Sequence, residues 1–398
     1  MNNQALKGSK AINWLEKINS RVQSLKPSGI REFFDVVAHQ KDCISLGVGE
    51  PDFVSPQVII ETAIEALRKG YTHYTGNQGL PELRKEISKY IENEYSIKYD
   101  PNEEIIITVG VSQAVDLALR AVLNIKDGVI YGTPSYVSYE PMISLAGGEP
   151  QSVSTSFNNN FLLQLPELKN AIKDNSKILF LNYPANPTGS SFNKKELEEI
   201  KNFVIENDLL VISDEIYGEL SYEMPHTPIS IFEEMKERTL LLGGFSKGFA
   251  MTGWRIGYAC GPSAWIKSML KIHQYSMLCA PTLGQIAAEA ALKYALDDKD
   301  KMKAAYKKRR DLIVNGFNEL GLDCKTPLGA FYVFPSIKKS GFSSMEFAKN
   351  LLKEQNVAVV PGTAFGDDGE GFIRCSYATS YKEIEIALEK IKKFINKI

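Results

Sequence analysis

The stretch Thr239-Leu-Leu-Leu-Gly-Gly-Phe-Ser-Lys247-Gly-Phe-Ala-Met-Thr-Gly-Trp-Arg255-Ile-Gly-Tyr258 joins two apolar runs through a turn of small residues. The first run, Thr239–Phe245, is short and mostly apolar, which is typical of a strand that is buried on both faces. The turn presents one lysine, Lys247, and Arg255 follows eight positions later, where the next apolar run begins. A lysine held by rigid backbone near a fixed cation is suited to bind an aldehyde that carries a phosphate.

Short apolar runs alternate with helix-like segments from residue 104 to about residue 272. In the segment Lys194–Ile205, for example, Leu197, Ile200 and Val204 fall on one face of a helix. This alternation predicts an α/β fold, in which helices cover both faces of a mostly parallel sheet and ligands bind at the carboxyl ends of the strands. We interpret as strands the runs Glu104–Val109, Gly128–Gly132, Lys177–Asn182, Leu209–Ser213, Thr239–Phe245 and Arg255–Cys260, and as a further helix Ala114–Leu123.

The C-terminal third has a different pattern, which indicates a smaller α+β domain. A long helical segment precedes three strand-like runs, and the final segment carries an apolar stripe at helical spacing. We therefore predict a large domain at residues 50–285 and a small domain formed by residues 1–49 and 286–398. The predicted elements of the small domain are the helices Met302–Leu320 and Tyr381–Ile398 and the strands Ala330–Pro335, Asn356–Val360 and Phe372–Tyr377.

The composition excludes several classes of protein. The chain has 398 residues, a hydrophobic fraction of 44% and a formal charge of −2, so nothing in its overall charge favours nucleic acid or an anionic membrane. Its five cysteines and four histidines are dispersed and show neither CxxC spacing nor a metal-binding pattern. The N-terminus lacks the apolar core of a signal peptide, and no apolar run is long enough to cross a bilayer. We expect a cytoplasmic protein without a metal site.

Two turns at predicted strand ends carry polar side chains that suit a charged ring. Asp214 follows the run Leu209–Ser213, and a carboxylate there is costly to bury unless a cation meets it. The protonated ring nitrogen of pyridoxal 5′-phosphate (PLP), an aldehyde that carries a phosphate, would be such a cation. Capping of the next helix by Asp214 is the alternative. Tyr217 and Asn186, the latter in the turn Asn182–Gly189, could each donate a hydrogen bond to the ring oxygen.

A phosphate site is predicted where the strand ending at Val109 meets a helix. In Gly110-Val111-Ser112 the free N–H groups of a helix start and the Ser112 hydroxyl could bind an anion, although a simple N-cap would have the same sequence. Arg255 could supply a forked cation to the same phosphate. Tyr136 ends another strand, where it could stack on the ring or belong to the core.

Arg374 is a single charge within the apolar strand Phe372–Tyr377. A substrate α-carboxylate would match its forked donors, and a structural salt bridge would satisfy them equally well. The sequence lacks both GxGxxG after a first strand and GxxxxGK[ST], so nicotinamide and ATP sites have no phosphate loop.

The order of these residues along the chain resembles the fold type I PLP enzymes of the class I/II aminotransferase family. The resemblance covers essentially the whole chain, from Gly47–Phe53 to beyond Arg374. It implies a seven-stranded, mostly parallel sheet in the large domain and a homodimer with active sites at the subunit interface. The implied roles are Lys247 for the Schiff base, Asp214 for the ring nitrogen, Asn186 and Tyr217 for the ring oxygen, Tyr136 for stacking, Val111, Ser112, Ser246 and Arg255 for the phosphate, Tyr74 of a second subunit for the same phosphate, and Gly49, Asn186 and Arg374 for the substrate.

The sequence departs from the family pattern at two places. Gly244 stands three residues before Lys247, where family members often carry a phosphate-binding serine. Ile272-His273-Gln274 precedes Tyr275-Ser276, where some aspartate aminotransferases have an arginine for the distal carboxylate.

The resemblance is strongest to the aminotransferase A branch, in the stretches Lys271–Tyr275, Gly329–Lys338 and Ser28–Arg31. That branch implies transfer from N-acetyl-LL-diaminopimelate to 2-oxoglutarate in bacterial lysine biosynthesis. An aromatic or aspartate aminotransferase of broad specificity is one alternative, and a PLP-dependent C–S β-lyase is another, since it uses the same lysine. A PLP-sensing regulator is a third, but the residues before Ile44 are too few for a DNA-binding module. The role of Arg31, in substrate binding or in lid closure, is open.

Overall fold

The computed structural model describes residues 12–25 and 43–397, so Ser28–Arg31 lies outside the described residues. The helices in this part are α1 (Ser20–Gln23), α2 (Gln57–Arg68), α3 (Pro81–Tyr95), α4 (Gly110–Val122), α5 (Tyr139–Leu145), α6 (Leu165–Ala171), α7 (Lys194–Glu206), α8 (Ser263–Ser276), α9 (Thr282–Tyr294), α10 (Leu296–Glu319), α11 (Ser344–Gln355) and α12 (Tyr381–Ile395). The strands are β1 (Ile44–Ser45), β2 (Ile105–Val109), β3 (Gly128–Thr133), β4 (Glu149–Ser154), β5 (Ser176–Asn182), β6 (Leu210–Asp214), β7 (Thr239–Gly244), β8 (Ile256–Cys260), β9 (Tyr332–Val333), β10 (Val357–Ala358), β11 (Val360–Pro361) and β12 (Ile373–Ser376).

A seven-stranded sheet forms the centre of the molecule, with the strand order β2-β8-β7-β6-β5-β3-β4. Strand β8 runs antiparallel to both of its neighbours, and the other strand pairs are parallel. The six predicted strands are present within one or two residues of their expected bounds. The α/β fold class with a mostly parallel seven-stranded sheet is therefore confirmed.

Strand β4 was not among the predicted runs, because its sequence Glu-Pro-Gln-Ser-Val-Ser is largely polar. It lies at the edge of the sheet, where it pairs only with β3 among the described strands. An edge strand tolerates polar residues and proline, since one of its sides needs no hydrogen-bonded partner. Its fully covered side chains, Gln151 and Val153, alternate with exposed ones.

Alternate residues of the central strands bury against helices on opposite faces of the sheet. Ile212 and Leu242 pack in a cluster with α4 and α8. Val211 and Leu241, one position earlier in each strand, pack on the other face, in the clusters that contain α7 and α9 respectively. Because helices cover both faces of the sheet, the sequences of these strands are continuously apolar and do not alternate between apolar and polar residues.

The C-terminal part contains a three-stranded antiparallel sheet, β11-β12-β9, and the short parallel pair β1-β10. The predicted run Asn356–Val360 is divided between two sheets, as β10 and β11. The long helix begins at Leu296, six residues before its predicted start. These elements share one core cluster with Tyr217 and Leu220 from the turn after β6. The domain bounds 50–285 and 1–49 with 286–398 stay a prediction.

None of the described helices combines the length and the apolar character that a membrane span requires. The five cysteines are free thiols. The expectation of a cytoplasmic protein stays a prediction.

The parallel strands β5, β6 and β7 end at the same edge of the sheet. Asn182 at the end of β5 lies beside Asp214 at the end of β6, and Asp214 lies beside Leu242 of β7. The turn that carries Lys247 begins after Gly244, the last residue of β7. The register therefore places three of the predicted functional turns side by side.

Candidate active site

A cavity of about 510 Å³ lies at this edge of the sheet, within the size range of small-molecule sites. Its volume suits a cofactor together with a small substrate. Eleven of the twelve predicted site residues line it, namely Gly49, Val111, Ser112, Tyr136, Asn186, Asp214, Tyr217, Ser246, Lys247, Arg255 and Arg374. The exception is Tyr74.

Lys247 projects into the cavity from the turn after β7. Its Nζ donates a hydrogen bond to the carbonyl oxygen of Gly49 at 2.6 Å, and the rings of Phe331 and Tyr217 lie 5.6 and 5.8 Å from it. Burial is the main cause that lowers the pKa of Lys247 to about 8; Glu50 opposes this shift and Arg374 adds to it. About a tenth of the amine is therefore neutral at pH 7, and this is the form that acts as a nucleophile or a proton acceptor.

Asp214 closes β6 and is 5% exposed. Its Oδ2 accepts a hydrogen bond from the hydroxyl of Tyr139 at 2.8 Å, and its Oδ1 accepts one from the N–H of Ile216 at 3.2 Å. Burial raises the pKa of Asp214 to about 6, although both hydrogen bonds lower it. The carboxylate thus supports the turn that follows it and also borders the cavity, where a cation would stabilise its charge.

Arg374 lies in β12 and is 3% exposed. Its Nη1 donates to Oδ1 of Asn186 at 3.0 Å, and its Nη2 donates to the carbonyl oxygen of Gly47 at 2.6 Å. No Asp or Glu of the described residues forms an ion pair with it. Of the two explanations for this arginine, the geometry favours the substrate carboxylate, because a buried guanidinium gains most from an anionic partner.

The predicted phosphate corner is built from the start of α4 and from Arg255. Gly110 has φ +70, and a Cβ on it would lie only 2.6 Å from Nη2 of Arg255, so the close approach requires glycine. Arg255 itself has φ +58 and donates to the carbonyl oxygen of Thr252 at 3.0 Å. Ser112 is exposed at this corner and Ser246 is buried. The N–H groups of the helix start and the guanidinium form a cationic corner suited to a phosphate.

The position of Gly244 explains why it carries no serine. A Cβ there would lie 3.1 Å from both Cδ1 of Ile216 and Cγ2 of Val111. These two side chains would have to shift by a few tenths of an ångström to admit a serine, whereas Ser112 and Ser246 already line the cavity.

Two tyrosines of the cavity were missed by the sequence analysis. The hydroxyl of Tyr139 meets Asp214, and the hydroxyl of Tyr332 lies 2.9 Å from that of Tyr217. Tyr139 begins α5 three residues after Tyr136, a predicted site residue, so its spacing was an available signal. Tyr332 had no such signal, because its contacts reach across 115 positions of the chain.

The two predicted aromatic contacts with the cofactor have different surroundings. Tyr136 is partly buried and packs edge to face on Tyr139 at 5.4 Å. Tyr74 is 81% exposed and does not line the cavity of its own chain. Its contribution to the site of a second subunit stays a prediction.

Three charged side chains of the cavity suit three polar groups of PLP, and Glu50 also lines the cavity. An amine, a carboxylate and a guanidinium are available for the aldehyde, the ring nitrogen and the phosphate, and they belong to Lys247, Asp214 and Arg255. Arg374 remains for a substrate. The residues present therefore fit this cofactor.

Comparison with known sequences gives the same family. The profile of the family described as aminotransferase class I and II matches residues 41–391. The putative aminotransferase YugH of Bacillus subtilis is 49% identical, with 96% of this chain and 98% of the relative covered. Aspartate aminotransferase of Pyrococcus abyssi is 46% identical, with 95% and 98% covered. The probable N-acetyl-LL-diaminopimelate aminotransferase of B. subtilis is 40% identical, with 96% of each chain covered.

A solved structure supports the same relationship. The aromatic aminotransferase from Pyrococcus horikoshii superimposes with a TM-score of 0.88 and is 44% identical, with 92% of this chain and 99% of that chain covered. This chain therefore belongs to the class I and II aminotransferases and is a PLP-dependent enzyme that transfers amino groups.

Proposed function

We propose that this cavity exchanges the amino group of an L-amino acid with that of a 2-oxo acid, 2-oxoglutarate, with Lys247 as the proton carrier. The observation that carries the proposal is the meeting of an amine with a lowered pKa, a buried carboxylate and a buried guanidinium without an acidic partner in one cavity. PLP supplies, when bound, an electron sink for the charge left at the substrate Cα.

With the cofactor bound, the amine of Lys247 would accept the proton of the substrate Cα and later donate it. A pKa of about 8 suits both tasks, because the amine gains and loses a proton readily near neutral pH. Asp214 keeps the ring nitrogen protonated, and Tyr217 and Asn186 hold the ring oxygen.

Arg374 orients the substrate by its α-carboxylate. Its guanidinium is already fixed by Asn186 and Gly47, so little side-chain entropy is lost when a carboxylate binds. Gly49 borders the same space, since a Cβ on it would lie 2.8 Å from the hydroxyl of Tyr332.

The phosphate is held by Val111, Ser112, Ser246 and Arg255, and Tyr74 reaches it from a second subunit. The 81% exposure of Tyr74 in the single chain is compatible with burial against a partner. This arrangement makes the active unit a homodimer.

The proposed amino donor is N-acetyl-LL-diaminopimelate, which would place the enzyme in lysine biosynthesis. Support comes from the 40% identity to the B. subtilis relative of that name and from the absence of an arginine at positions 272–274. His273 is fully buried and bonds to Gln113 behind the phosphate corner, so it does not face a substrate.

An aromatic amino acid is the second candidate donor, and the charge of the cavity favours it. In the described part of the chain, the cationic side chains that line the cavity are Lys247, Arg255 and Arg374, and all three already have roles. The second carboxylate of aspartate or of the diaminopimelate derivative would need another cation. Arg31, outside the described residues, or the partner subunit would have to supply it.

The pH at which Lys247 becomes reactive tests its environment. In the cofactor-free enzyme we expect the rate of Lys247 acylation by an amine-selective reagent to rise with pH and reach half its maximum near pH 8, because only the neutral amine reacts. Peptide mass spectrometry follows the modified residue. A midpoint near the ordinary lysine value of about 10.4 would contradict a desolvated amine.

Replacing Arg374 by glutamine tests carboxylate recognition. We expect kcat/KM for an amino-acid donor to fall about 10- to 100-fold, which corresponds to the hydrogen bonds of one charged pair. The matched donor is phenylethylamine, which lacks the carboxylate and should lose much less. Equal losses for phenylalanine and phenylethylamine would show that Arg374 only supports the fold.

A donor panel tests the proposed reaction and its substrate. N-acetyl-LL-diaminopimelate, phenylalanine and aspartate are each offered with 2-oxoglutarate, and glutamate formation is measured. We expect the highest kcat/KM for N-acetyl-LL-diaminopimelate, and Arg31→Gln should lower kcat/KM for the acidic donors only. A highest value for phenylalanine supports the second candidate. Lys247→Ala is the inactive control. If the main activity is instead the release of pyruvate from cystathionine without an acceptor, the enzyme is a C–S β-lyase.

A further inference from the structure

A buried acid–base pair lies directly behind Asp214. Glu215 follows Asp214 in the chain but does not line the cavity. Its Oε2 lies 2.7 Å from Nε2 of His226, and the two side chains are 4% and 3% exposed. The mechanism proposed above uses neither residue.

Three neighbouring residues contact the Glu215–His226 pair or leave space for it. The hydroxyl of Ser213 donates to Oε1 of Glu215 at 2.8 Å. Gly218 makes room for the imidazole, since a Cβ there would lie 2.9 Å from Cδ2 of His226. The ring of Tyr183 packs on the imidazole with a centroid distance of 5.2 Å.

The same pair connects the two turns that carry Asp214 and Asn186. Tyr183 lies in the turn of Asn186, and its hydroxyl is 3.5 Å from Oε1 of Glu215. That hydroxyl also accepts a hydrogen bond from the N–H of Ile229 at 2.8 Å. A change at the pair would therefore act on both turns.

Stability alone does not account for a buried ionic pair. The desolvation of two charges offsets most of their attraction, and apolar residues of similar volume are often equally stable. The position next to Asp214 offers another reason. A negative charge on Glu215 raises the pKa of Asp214, which would oppose the charge that Asp214 needs to pair with a ring nitrogen.

We propose that His226 is a positioning residue that acts on Asp214 through Glu215. Nε2 of His226 meets the Glu215 carboxylate, so Asp214 meets the ring nitrogen without an unpaired carboxylate beside it. This inference rests on the role of Asp214 in the proposed function. It assigns to His226 a part in cofactor recognition without any contact with the cofactor.

The test compares two ligands of the cofactor-free enzyme, PLP and the analogue in which C–H replaces the ring nitrogen. Only PLP can pair with Asp214, so the wild type should bind PLP more tightly than the analogue. In His226→Gln, which keeps an N–H but cannot carry the proton, we expect this preference to fall about tenfold, as one unneutralised charge nearby would cause. The Kd of the analogue should change by less than about threefold.

A double variant, and a control variant far from the cavity, separate the effect of charge from the effect of packing. Glu215→Gln with His226→Gln removes both charged forms and should restore the preference to within about threefold of the wild type. Arg310→Gln removes another buried charge, a guanidinium whose Nη2 lies 2.6 Å from the exposed carboxylate of Glu223 outside the cavity. It should lower Tm and leave the preference unchanged.

The outcomes distinguish this inference from the proposed function. A wild type that does not prefer PLP contradicts the role of Asp214 itself and, with it, the inference. A clear wild-type preference that survives in His226→Gln, or an equal weakening of both ligands, overturns the inference alone. If His226→Gln does not fold, Glu215→Gln replaces it, and its preference should stay within about threefold of the wild type. Loss of that preference overturns the inference.

Discussion

The register between the parallel strands β5, β6 and β7 determines how the turns that carry Asn186, Asp214 and Lys247 meet. It places Asn182 beside Asp214 and Asp214 beside Leu242, so the turns after these strands open at one edge of the sheet. A slip of one residue would turn each side chain to the opposite face. The apolar residues on both faces of β6 and β7 prevent such a slip, because each face packs on its own layer of helices.

Among the charged groups at this edge, Asp214 and Arg374 are buried, Lys247 is partly buried and Arg255 is exposed. Burial lowers the pKa of Lys247 to about 8 and raises that of Asp214 to about 6, so both groups are shifted toward their neutral forms. Arg374 is buried with carbonyl and amide oxygens as its partners. Each of these groups lacks a full counter-charge within the described residues. These groups are costly to bury on their own. A cofactor and a substrate that carry the opposite charges would therefore be stabilised by them.

The sequence predicted the fold well because it depends on local patterns. Six strands of the sheet were recognised from their apolar runs, whereas the polar edge strand β4 carried no such signal. Eleven predicted site residues line the cavity; most of them stand near a strand end, and Arg374 was recognised as a single charge within an apolar strand. Tyr332 and the Glu215–His226 pair could not be found in this way. Tyr332 meets Tyr217 across 115 positions of the chain. His226 and Glu215 are 11 positions apart and meet through the turn that contains Gly218.

The covalent bond between Lys247 and the cofactor aldehyde is the central claim of this account. Treatment of the PLP-loaded enzyme with sodium borohydride, followed by digestion and mass spectrometry, locates that bond directly. The account predicts a phosphopyridoxyl group on Nζ of Lys247, and none at this position in the otherwise folded Lys247→Ala variant. Labelling of a different lysine, or no labelling after incubation with excess PLP, would contradict it.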